Sequence, residues 1–139
     1  MKYFAYLLAF FSVSVMAEPL TVQVHTDAGK HQAVVDIPLG GQEAPFKLEF
    51  QNHKYESITV EFNAKGFDNS LITYNGSIRA ATHPEHRNVS GVKLPSRDVI
   101  FFGFSGSMNE NASREVAGFS QWEAEKNQIT NEIRVTFSR

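Results

Sequence analysis

Along most of this chain apolar and polar residues alternate one for one. Leu20, Val22 and Val24 alternate with Thr21 and Gln23; Phe46, Leu48 and Phe50 with Lys47 and Glu49; Ile58, Val60 and Phe62 with Thr59 and Glu61. Near the C-terminus Ile133, Val135 and Phe137 alternate with Glu132, Arg134 and Thr136. Period two sends one side-chain set to a buried face and the other to water, which predicts half-exposed antiparallel strands. Ala33 to Ile37 is a shorter apolar run, and Val99 to Phe104 predicts a central strand covered on both faces. Leu71–Tyr74 and Ser77–Ala80 flank Asn75-Gly76, a pair that predicts a two-residue hairpin turn. Ser120–Lys126 fits either a turn or two of helix or a strand carrying Trp122 inward, and 82–88 and 105–113 read as the longest loops. About seven to nine short strands at this spacing predict an all-β fold. The expected architecture is an immunoglobulin-like antiparallel β-sandwich, with a closed barrel as the alternative.

Met1 to Ala17 breaks the pattern. Lys2 gives a positive start, Tyr3 to Met16 holds no charged side chain, and the stretch closes on Val15-Met16-Ala17. This is the layout of a secretory signal peptide over 1–17, with cleavage after Ala17 and a single domain over 18–139. A bilayer span takes about 20 apolar residues, so the stretch is marginal as an anchor. The expectation is export.

Composition narrows the chemistry. Thirteen Lys and Arg face fifteen Asp and Glu among 139 residues, for a formal charge of −2. No basic field is available for a phosphate backbone, so no nucleic-acid partner is expected. There is no Cys, which excludes thiol catalysis, Cys-ligated zinc and iron–sulfur clusters. An exported domain of this size does without disulfides only if its core suffices. His83 and His86 flank Glu85 and could ligate zinc or copper, but Pro84 works against the helix that zinc-protease spacing needs, and a solvated loop is the plainer reading. Gly103-Phe-Ser-Gly-Ser107 lacks the second glycine of a nucleophile elbow, because position 107 is Ser. No enzyme, no metal and no cofactor are expected.

The shape of the ends carries the functional expectation. The chain after Ala17 opens on one alternating segment and closes on another, and it resembles the pilin subunits of chaperone-usher fimbriae. Lacking Cys, with Ser138 where a penultimate Tyr is usual and Lys126 where a Gly is usual, it is similar to the alternate, class 5-like group and not to the type 1-like one. The resemblance implies a sandwich that stays incomplete until a donor strand from a neighbouring subunit completes it. Leu20, Val22 and Val24 are then the donor strand. Ile133, Val135 and Phe137 form the acceptor groove and the chaperone contact. The implied function is that of a structural subunit of a surface fimbria, contributing to adhesion. The implied partners are copies of itself or related pilins, a periplasmic chaperone and an outer-membrane usher. The physics is strand addition, in which main-chain bonds give affinity and alternate side chains fill pockets. The alternative is a self-contained periplasmic or secreted β-sandwich that acts as a binding or inhibitor protein.

Overall fold

The computed structural model describes residues 16–139, so most of the expected signal peptide lies outside the described residues. Ten strands follow one another: β1 (Ala17–Thr26), β2 (Gly29–Pro38), β3 (Glu43–Phe50), β4 (Tyr55–Gly66), β5 (Ile72–Thr82), β6 (Glu85–Val89), β7 (Val92–Ser96), β8 (Val99–Met108), β9 (Ser113–Glu123) and β10 (Gln128–Ser138). They form two antiparallel four-stranded sheets, β2-β1-β10-β9 and β3-β4-β5-β8, with β6-β7 as a separate hairpin. The molecule is an all-β antiparallel sandwich, as expected. The chain visits neighbouring strands in turn, a meander that lacks the Greek-key crossing of immunoglobulin domains.

Alternation explains the core. Leu20, Val22, Val24, Ile133, Val135 and Phe137 point from the first sheet toward Ile58, Val60, Phe62, Tyr74 and Ile78 of the second, and all are buried. Phe137 binds the sheets most directly. Its ring lies 4.9 Å from Phe62, 5.1 Å from Tyr74 and 5.7 Å from Phe104, centre to centre. Tilted and edge-on ring pairs of this kind add about 0.5–1.5 kcal/mol beyond the area they bury.

Four sequence expectations are corrected. Asn75-Gly76 is not a turn: β5 runs straight through it, with Phe62 opposite Gly76 on one side and Phe104 on the other. A two-residue turn there would place Ser77 and Arg79 on the core face beside Ile72 and Tyr74. The continuous strand buries Ile78 and Ala80 instead. Val99–Phe104 is not central: β8 is an edge strand, with Phe101 70% exposed. The two expected long loops are largely strand, β6 in one case and the end of β8 in the other. Ser120 to Glu123 continues β9, and Trp122 faces outward, 56% exposed.

Gly76 is where the second sheet has no room to spare. A Cβ there would overlap the Glu61 carbonyl oxygen and lie 2.5 Å from the Phe62 Cβ. Gly76→Ala should therefore destabilise by about 2–3 kcal/mol, the usual cost of forcing extra atoms into a packed core, lowering Tm by roughly 10 °C. Ser77→Ala, next along the strand but facing out, should stay within about 0.5 kcal/mol. Thermal melts of the two variants check this, and equal melting points would contradict the close approach.

Candidate functional site

The two residue sets singled out at the chain ends lie side by side. β1 pairs with β10 in the register Val22↔Phe137, Val24↔Val135 and Thr26↔Ile133. On its other flank it pairs with β2 from Ala17↔Pro38 to Thr26↔Gly29. Leu20, Val22 and Val24 are completely buried, as are Ile133, Val135 and Phe137. Within one chain, β1 fills the place beside the C-terminal strand that a donor strand would fill in a neighbour.

A charged clasp closes the same region. The Arg139 guanidinium, only 3% exposed, ion-pairs with Glu18 and donates to the Ser70 carbonyl between β4 and β5. Burial presses the Arg139 pKa below the ordinary arginine value. A guanidinium this deep is tolerable only because it is paired. The clasp ties the start of β1 and the end of β10 to the opposite sheet. Cleavage after Ala17 would leave Glu18, and so the clasp, in place.

The histidines are arranged differently from their sequence spacing. His83 Nε2 is 3.0 Å from the Asn52 carbonyl oxygen. His53, thirty positions before His83, lines with His83, Glu85 and Asp98 a shallow hollow of about 220 Å³. His86 stands on β6 opposite Pro95, outside that lining. Among the described residues no three His, Cys, Asp or Glu side chains are grouped to hold a metal ion. Ser105 lies within β8 and is not on a strand-to-helix elbow.

The most distinctive surface is the outer face of β3-β4-β5-β8. Register aligns its side chains in rows across all four strands. Glu49, Thr59, Arg79 and Phe101 make one row; Lys47, Glu61, Ser77 and Gly103 the next; Pro45, Asn63, Asn75 and Ser105 the third. Between the first two rows lies a hollow of about 320 Å³, and between the second and third one of about 530 Å³. Lys47 sits between two carboxylates, 3.2 Å from Glu49 and 3.7 Å from Glu61. The hydrogen bond to Glu49, with the charge of both carboxylates, raises its pKa. These groups are more than half exposed, so their pairing adds little stability. Phe101 stands at the end of the first row beside Arg79, with the bare Gly103 next to it on the same face. The alternation held the clue: the odd positions from Gly103 to Ser107 are only Gly and Ser, which marks them as one solvent face.

Hydroxyls, amides, one ion-paired lysine and a single exposed ring can hydrogen-bond and stack against a polar chain laid across the strands. They hold no activated nucleophile. No helix among the described residues is long and apolar enough to cross a membrane. Comparison with family models, with curated proteins and with solved structures finds no match to this chain.

Proposed function

We propose that this chain is an exported, non-catalytic β-sandwich that is complete in itself and works by binding, with the outer face of β3-β4-β5-β8 as its binding surface. The observation that carries this reading is the position of β1, hydrogen-bonded on both flanks within its own chain and fully buried at Leu20, Val22 and Val24. A strand so placed is part of the domain's own core. The turn at Asp27-Ala28 joins it to β2 too tightly for it to reach away alone. The ligand class that suits the face is a glycan. Phe101 offers a ring for the C–H face of a sugar, and Thr59, Ser77, Asn75 and Arg79 offer hydrogen bonds along a shallow trough.

The fimbrial reading is kept as a second one by a specific observation. The β1–β10 pairing sets the donor candidates antiparallel against the acceptor candidates, the juxtaposition that strand donation makes between subunits. In that reading the chaperone and usher are partners, and β1 exchanges between copies.

Val22→Asp separates the two. In a self-contained sandwich it puts a carboxylate into the core, which costs several kcal/mol or forces protonation. That is comparable with a total stability of about 5–15 kcal/mol. The wild-type chain should fold to a defined species without any donor peptide, and the variant should be unfolded by circular dichroism. A wild type that aggregates until a peptide spanning β1 is added, with a variant that still folds in a chaperone complex, would favour fimbrial assembly instead.

Ligand binding has its own check, by affinity electrophoresis through gels cast with soluble polysaccharides. Wild type should be retarded by at least one of them. Phe101→Ala should lose the retardation with its melting temperature unchanged within about 0.5 kcal/mol of stability. Equal retardation of the two would remove Phe101 from the site, and no retardation of wild type in any gel would remove the glycan.

A further inference from the structure

The sandwich has four edge strands, and three of them carry the devices that keep sheet edges from pairing. β2 carries Lys30, Asp36 and Pro38. β3 carries Glu43, Pro45, Lys47 and Glu49. β9 carries Arg114 and Glu115, and its ladder with β10 is interrupted twice by register shifts. Charges, prolines and bulges are the usual protection. β8 has none of them. From Val99 to Met108 it holds no charged residue and no proline.

Two hydrogen bonds show which of its backbone groups are free. Thr82 N–H donates to the Asp98 carbonyl at 3.0 Å, so the even-numbered residues of this segment turn their main-chain groups toward β5. Arg114 Nη1 donates to the Ser107 carbonyl at 3.3 Å, so the odd-numbered residues turn theirs to the open edge. Val99, Phe101, Gly103, Ser105 and Ser107 are all exposed. Apart from the Ser107 carbonyl, nothing in the sheet ladders engages this row of donors and acceptors.

We propose that β8 pairs with β8 of a second copy of this chain, antiparallel about a two-fold axis at Gly103, joining the two outer faces into one eight-stranded sheet. The sequence of β8 is self-complementary in that register. Val99 and Phe101 fall opposite Ser107 and Ser105 of the second copy, and glycine meets glycine at the axis. On the inner face Ile100 falls opposite Gly106. Val99, Ile100 and Phe101 each meet a small residue, Phe102 meets Phe104 on the inner face, and no charge meets its like. The odd-to-odd pairing matches the outward groups on both strands, the Ser107 carbonyl keeping its bond from Arg114 through its second lone pair. One patch serving both partners is the condition for a closed two-fold dimer. The pairing stands independently of what the outer face binds.

Its test uses the absence of cysteine in the chain. In this register residue 103 faces its own copy as a hydrogen-bonded pair with Cα atoms about 5.5 Å apart, inside the range a disulfide can bridge. Gly103→Cys in the full chain should cross-link to a dimer under mild oxidation. Ser107→Cys should not, because its copy lies roughly 27 Å away along the strands. Light scattering of unmodified protein at about 50 μM should give twice the single-chain mass. Ser105→Pro removes an edge N–H that bonds nothing within its own sheet, and should weaken dimerisation at least tenfold while keeping the β-sheet spectrum. A single-chain mass at every concentration, equal cross-linking at positions 103 and 107, or dimers undiminished by Ser105→Pro would overturn the pairing. So would purification of the full chain in a complex with a different protein that covers β8.

Discussion

The rest of the structure hangs on the pairing of the first strand with the last. β1 and β10 are more than a hundred positions apart in sequence, yet they lie hydrogen-bonded at the centre of the first sheet. Their inward residues, Leu20, Val22 and Val24 beside Ile133, Val135 and Phe137, form one half of the core. Phe137 then enters the ring cluster of the second sheet, and Arg139 clasps Glu18 and the β4–β5 turn. Without β1, β10 would lose a flank and the apolar side chains of the second sheet would lose their cover. Such a contact closes a loop of nearly the whole domain, so its entropic cost precedes its reward, and a slow folding step is the physical consequence.

This constraint decides which parts of the molecule are free to act. In the self-complete reading, β1 and the acceptor candidates on β10 are engaged with each other within one chain. What remains are outer faces and edges. The β3-β4-β5-β8 sheet offers both: rows of polar side chains ending at Phe101, and the uncharged rim of β8. Both sit on the sheet that does not contain β1, so binding there leaves the pairing of the chain ends undisturbed.

Much of this was legible in the alternation. Every segment with strict period two is a strand, and each set of inward residues is the set the pattern marks. The structure departs from the pattern where a local signal competes with parity. Asn75-Gly76 is a strong turn pair, but the face shared by Ile72, Tyr74, Ile78 and Ala80 needs an unbroken strand, and Gly76 serves close strand approach instead. Val99–Phe104 is apolar throughout except at Gly103, but the Gly and Ser at 103, 105 and 107 already mark an outward face. The outer-face rows were not legible, because Thr59, Arg79 and Phe101 meet only through register between strands distant in sequence. The partner of β1 was invisible for the same reason: alternation gives a strand its buried face but not its neighbour.

Amide hydrogen exchange on the isolated wild-type protein tests the central claim most directly. If β1 is an integral strand of its own chain, the amides of Leu20 to Val24 exchange only by global unfolding, as slowly as those of Ile58 to Phe62 in the middle of the second sheet. If they exchange orders of magnitude faster while the second sheet stays protected, β1 is a detachable segment and the account of a self-complete sandwich is wrong.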